Sequence, residues 1–347
     1  MSRARSQTPS GWRILAGILG VGLMAYLVAH VGAGMLLKQM LKVGWGMLLI
    51  FFLGGVAHLI KTWAWRLTFH RESRKAIPLW RGFRLRLISE AIGQFGLAGQ
   101  VLGEGMRVSL LDPSVPVAAG ISSATIDRGL YTISAAIVGI AGLIGAALLL
   151  PLSHIWKVWT FGFAGAILAF VLMLVVAVRQ QWPVLSVIAR GLCRLPGLCT
   201  RLQDAEQTMQ SAEERLFSFH LEAPQAFWMS FALNVLSQIL AVLEVYLILM
   251  FMGSRTGFLR AFVFEGFTKL VNTVGGLVPG NVGTYEGGTM LIAKLFRVSA
   301  ASGLSLGFCR RARAFFWAGI GGLCLIYMSQ NNHANRGSKL ASAEGTC

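Results

Sequence analysis

Five apolar runs, 14–31, 43–60, 129–152, 158–178 and 226–253, most constrain what this chain can fold into. Glu244 is the one Asp, Glu, Lys or Arg in any of them. A helix of about 20 residues crosses the roughly 30 Å hydrocarbon layer of a bilayer, so each run is long enough to span one. A sixth run, 298–329, is broken by Arg310, Arg311 and Arg313. Only 13% of the residues are charged, against roughly a quarter in a soluble domain, which excludes a water-soluble fold. Run 14–31 is followed by no small-residue cleavage site and is expected to be retained as a membrane segment.

The formal net charge of +17 would suit a nucleic-acid partner, but basic cytoplasmic loops produce the same excess in a membrane protein. Eighteen of the 31 Lys and Arg residues fall in 1–13, 61–86, 179–225 and the C-terminal tail, and five in the alternate loops. This bias predicts an inner-membrane protein with both termini cytoplasmic and no nucleic-acid role. Within 179–225, aliphatic residues at helical spacing predict an amphipathic linker on the membrane surface. Cys193, Cys199, Cys309, Cys324 and Cys347 are too scattered for a zinc or redox motif.

Two further stretches are apolar yet rich in Gly, Pro and charge: 87–111 and 262–296. Backbone breaks at bilayer depth are tolerated only inside protein or along a wet cavity, so these read as broken or re-entrant helices. The other reading is a pair of irregular loops outside the membrane. An offset of 182 aligns the two stretches without gaps. Glu104 then falls on Glu286 and Arg128 on Arg310, with eleven identities in 52 positions from Gly93 to Ile144. Three crossings separate the copies, an odd number, which predicts inverted repeats, an architecture of transporters.

Six of the fourteen acids, Glu90, Glu104, Asp127, Glu244, Glu265 and Glu286, lie in apolar surroundings. Each costs at least a few kcal/mol there unless paired or hydrated. The partners on offer are Arg107, Arg128, Lys269, Arg310, Arg311 and Arg313; Glu104 and Arg107, three apart, share a helix face. A polar cleft lined by Glu104, Arg107, Asp127, Arg128, Glu286, Arg310 and Arg313 is expected. In it Arg128 and Arg310 would grip an anionic phosphate, while Glu104 and Glu286 would position them or carry a proton. Ion pairs that merely fasten the broken helices are the competing reading, and for Glu244 an interhelical hydrogen bond is preferred. The glycine-rich break Gly275, Gly276, Pro279, Gly280, Gly283, Gly287, Gly288 offers backbone amides to a phosphate, with Thr284 as a helix cap. No HExxH, GxSxG or Walker A motif occurs and the six histidines are dispersed, so no enzyme, metal, cofactor or nucleotide is expected.

The run Leu277-Val-Pro-Gly-Asn-Val-Gly-Thr-Tyr-Glu-Gly-Gly288, with Arg310-Arg-Ala-Arg313, Gly103-Glu-Gly-Met-Arg107 and Asp127-Arg128, resembles the transmembrane region of the lysylphosphatidylglycerol synthase and flippase family. Its elements are GGExxR, DR and PGGxGxxE. Leu102 and Asn281 stand where that pattern has Gly; the charged positions are intact. The resemblance covers about 12–330. It implies the membrane portion without the soluble aminoacyl-transferase domain, moving or accommodating lipids. Glu286-Gly-Gly and the 306–313 stretch look more like a branch associated with hopanoid biosynthesis. The alternatives are a non-transporting scaffold for lipid-biosynthesis enzymes, docked through 61–86 and 179–225, and a membrane-embedded transferase.

These readings predict an all-α polytopic membrane protein with about six to eight transmembrane helices and two broken or re-entrant segments in inverted repeats. Cytoplasmic tails at 1–12 and 331–347 would flank a single 13–330 domain. Its repeats would span about 87–150 and 262–329, joined through the linker 179–225.

Overall fold

The computed structural model describes residues 33–94, 96–149, 153–183, 187, 203–254, 256–275, 283–296 and 298–344. The run 14–31 lies outside them. Twelve helices and no strand occur among the described residues. In chain order they are α1 (Ala33–Val43), α2 (Gly46–Leu67), α3 (Arg71–Lys75), α4 (Leu79–Gly93), α5 (Gly96–Ser109) and α6 (Val117–Leu149). There follow α7 (His154–Arg179), α8 (Gln203–Glu222), α9 (Pro224–Phe251), α10 (Phe258–Gly275), α11 (Thr284–Leu295) and α12 (Ala300–Glu344). Four of them, α2, α6, α7 and α9, are long and apolar enough to cross a membrane. Their outer faces carry Phe52, Trp63, Leu148, Trp156, Phe161, Leu172 and Trp228 exposed, a surface suited to lipid rather than water. The protein is a multi-pass α-helical membrane protein.

Each broken stretch is a pair of helices. The first is α4 and α5, meeting at residues 94–95; the second is α10 and α11, separated by 276–282. The 182-residue offset carries into the helix bounds: Gly93, the end of α4, maps onto Gly275, the end of α10. Val117, the start of α6, maps one residue short of Ala300, the start of α12, and α2 maps within α9.

Packing exchanges partners between the copies. The long helix α6 of the first copy lies on α10 of the second, and α12 of the second lies on α4 of the first. At the first crossing a Cβ on Gly142 would stand 2.6 Å from the Gly266 Cα, so only two glycines allow the backbones to meet. At the second, Gly321 sits against the Leu87 carbonyl. α2 and α9 pack together at the centre, and Val245, Ile248 and Leu249 of α9 join Ile50, Phe264, Ile292 and Leu306 in the main core. Helix α7 is peripheral, with only Thr160 and Ala164 fully buried.

Three segments differ from the sequence reading. The basic stretch 61–86 is not a free loop, because α2 runs to Leu67 and α4 begins at Leu79. Two of its cations are bound inward: Arg66 donates to the Ile77 carbonyl at 2.6 Å, and Arg74 to those of Leu67 and Phe69 at 2.9 and 3.0 Å; Arg71 and Lys75 are exposed. In the linker, α8 packs on α6, with Phe219 against Ile126 and Leu130. Residues 331–344, read as tail, continue α12 without a break.

The turn before α6 is set by Asp112. Its carboxylate accepts from the Ser114 amide at 3.1 Å and hydroxyl at 2.8 Å and pairs with Arg81 at 2.7 Å. The Ser114 amide, then its hydroxyl and Arg81, hold this carboxyl down at about 2, against an ordinary 3.8. A depressed folded-state pKa stabilises above the unfolded value and loses that contribution as pH falls through the folded one. Asp112→Asn should therefore lower the melting temperature near neutrality, and the gap to wild type should close as pH falls to about 2. A gap constant across that range in thermal melts would refute the assignment.

Candidate functional site

Charged side chains from six helices meet inside the bundle, in two groups, one built on each broken helix pair. In the first, α6 presents Asp127, whose Oδ2 lies 3.4 Å from Arg86 Nη1 of α4 and 3.5 Å from Arg107 Nη1 of α5. Arg107 is 1% exposed, pairs with Glu104 one turn away, and stacks its guanidinium 4.3 Å from the Trp65 ring centroid. The group is loosely made: Arg86 Nε, Arg107 Nε, Trp65 Nε1 and Asp127 Oδ1 are buried without a hydrogen-bond partner. Such atoms carry a desolvation cost of about 1–3 kcal/mol each.

The second group is tighter. Arg310 of α12 donates to Glu265 of α10 at 2.7 Å and to the Tyr285 hydroxyl of α11 at 2.8 Å, with Glu244 of α9 at 3.6 Å. Glu244 also takes Arg313 at 2.9 Å, and Glu265 takes Lys269 at 2.8 Å. The interhelical bond expected for Glu244 is thus a shared ion pair.

The expected cleft residues are placed differently from the phosphate grip foreseen for them. Arg310 is spent on the protein's own carboxylates. Arg128 is exposed on α6 and bonds Gln100. Glu104 and Glu286 do not hold these arginines. Glu104 pairs with Arg107, as its spacing predicted, while Glu286 pairs with Arg311 at 2.5 Å.

Of the glycine-rich break, Gly276, Pro279 and Gly280 lie outside the described residues, and Gly275 is the last residue of α10. Gly283, not Thr284, is the N-cap of α11, at φ 78°, where a side chain would strain the backbone. Its amide is taken by Glu286 at 2.9 Å, so an internal carboxylate stands where a ligand phosphate was expected. Gly287 continues the first turn of α11, and Gly288 is where that helix closes on Val271 of α10.

Sequence reasoning missed Lys61, Arg86, Tyr131 and Tyr285. Lys61 and Arg86 were counted with a loop, and the tyrosines carry no formal charge to draw the eye. A separate cleft of about 810 Å³ opens between α8, the region of α3 and the turn at 114–116, lined by His70, Glu72, Glu214, Arg215 and Glu222. It touches none of the charged residues above. No group of three metal-ligating side chains occurs among the described residues.

A family model described as the lysylphosphatidylglycerol synthase TM region matches residues 13–322. No curated protein and no solved structure matches the chain.

Proposed function

The chain belongs to the lysylphosphatidylglycerol synthase transmembrane-region family, and from that premise we propose that it is a flippase-like transporter for an amphiphilic lipid with a polar or charged head group. One observation carries the reading. Five acids, Glu104, Asp127, Glu244, Glu265 and Glu286, are ion-paired with cations on the two broken helix pairs and the helices packed against them, inside an otherwise apolar bundle. Charges at that depth are costly and mark substrate or ion pathways. In this reading the network lines a path for the head group while the acyl chains stay in lipid. The two copies are inverted, with the α4–α5 pair entering from the cytoplasmic side and the α10–α11 pair from the opposite side of an inner membrane. Both termini are cytoplasmic, and α8 lies on the cytoplasmic face.

Proteoliposomes containing the purified chain should speed transbilayer movement of a labelled lipid above protein-free vesicles. Glu104→Gln, at a half-buried position, should remove most of that gain without unfolding the protein. Movement no faster than in empty vesicles would leave the scaffold reading in possession. Against that alternative, three of the basic residues in the 61–86 stretch it used for docking, Arg66, Arg74 and Arg81, are bound within the protein, which leaves Arg71 and Lys75 exposed. Mass spectrometry of co-purifying lipids tests the hopanoid association suggested by the 306–313 stretch.

A further inference from the structure

The two charge groups differ in a way the repeat itself explains. Arg310 is neutralised by Glu244 and Glu265. Subtracting the offset of 182 from those positions gives Thr62 and Phe83, neither of which can pair with Arg128, the counterpart of Arg310. Arg128 instead bonds the neutral Gln100 side chain, and its guanidinium lies 5.8 Å from the Tyr131 ring centroid. Lys61 Nζ of α2 is 4.9 Å from the same centroid, and Lys269 of α10 adds a third positive charge to the surroundings of Tyr131.

Arg86, Arg107, Lys269, Arg310, Arg311 and Arg313 all have a carboxylate oxygen within 4.0 Å. Among the described residues Lys61 and Arg128 have none. Glu90 offsets the Lys61 charge only from beyond ion-pair distance. A tyrosine face attracts a cation but does not replace an anion. Space is available as well: a Cβ on Gly129, next to Arg128, would meet nothing within 4 Å. In the second copy this position is Arg311, whose side chain reaches Glu286. The first copy lacks both the acids that would satisfy its arginine and the side chain that would close its flank.

We propose that Lys61, Arg128 and the Tyr131 hydroxyl form an anion site that takes the phosphate oxygens of a lipid head group. A guanidinium offers paired donors to such oxygens and an ammonium a mobile point charge. The proposal rests on the lipid-handling reading above and names the head-group chemistry. It also withdraws Arg310 from the grip, because that arginine is already saturated.

The test is binding to the purified full chain in neutral detergent, read by native mass spectrometry. The probes are phosphatidic acid, diacylglycerol with the same acyl chains, and inorganic phosphate as competitor. Phosphatidic acid should bind at least about tenfold more tightly than diacylglycerol, and Lys61→Gln and Arg128→Gln should each cost about tenfold or more, the worth of one charged hydrogen bond. Lys61→Arg should retain most of the affinity, and Lys294→Gln, at an exposed position on α11, should be silent. Displacement by inorganic phosphate would show that the phosphate alone is recognised. Its failure to displace would show that the acyl chains are needed too, and either result upholds the site. Equal binding of the two lipids, or unchanged binding in both Gln variants, would overturn it. Melting curves accompany each variant, and Arg128→Gln, at an exposed position, carries the test if Lys61→Gln does not fold. Binding without lipid movement in vesicles would end the transporter reading and keep this site. Movement with binding indifferent to Lys61 and Arg128 would do the reverse.

Discussion

Glu265→Gln is expected to destabilise the protein by about 3–5 kcal/mol, the cost of breaking a buried ion pair from one side. Glu265 is 1% exposed and accepts from Arg310 at 2.7 Å and from the Thr268 hydroxyl at 2.8 Å, with Lys269 at 2.8 Å. Neutralising it removes the ion pairs of Arg310 and Lys269 and leaves Arg310 with only the more distant Glu244, which also holds Arg313, in a low-dielectric interior. Because the loss comes from the stranded cations, Glu265→Gln combined with Arg310→Met should cost less than the two single changes added together. Unfolding followed in detergent measures both numbers. A loss below about 1 kcal/mol for the single variant, the scale of a solvent-exposed pair, would mean that water reaches the group.

Gly142→Leu is expected to disrupt the bundle, at about 3 kcal/mol or more, the upper end of overpacking penalties. A Cβ at this position meets the Gly266 Cα at 2.6 Å, and backbone cannot move aside as a flexible side chain would. The entire α6–α10 contact has to open. Gly162→Leu on α7 is the control, since nothing lies within 4 Å of a Cβ there. Size-exclusion profiles and melting temperatures should show the first variant aggregated or strongly destabilised and the second close to wild type. Equal behaviour of the two would mean that the crossing is looser than its geometry implies.

Local order in the sequence was enough to place the helix pairs, and distant order was not. The offset that superposes Glu104 on Glu286 also superposes the ends of α4 and α10, because the pattern that makes a helix stop is confined to a few neighbouring residues. The Glu104–Arg107 pair was legible for the same reason, being one turn apart. Arg310 finds Glu265 across 45 residues and one intervening helix, α11, and nothing in spacing distinguishes that acid from Glu286, which lies nearer in the chain. Lys61 was misplaced because counting basic residues treats those near the end of an apolar run as solvated. Its side chain instead turns inward to Tyr131. Glu286 could not be recognised as the occupant of its own helix start, since a glycine-rich break looks the same whether an internal carboxylate or a ligand fills it.

The exchange of packing partners between the two copies has a consequence for how the protein is made. The Leu87 carbonyl waits for Gly321, about 230 residues later in the chain. At roughly 5–20 residues per second, that is on the order of ten to fifty seconds in which α4, with Arg86 and Glu90 on it, has already emerged from the ribosome without the helix that covers it. The first half of this protein is therefore born with that surface of α4 uncovered until α12 arrives.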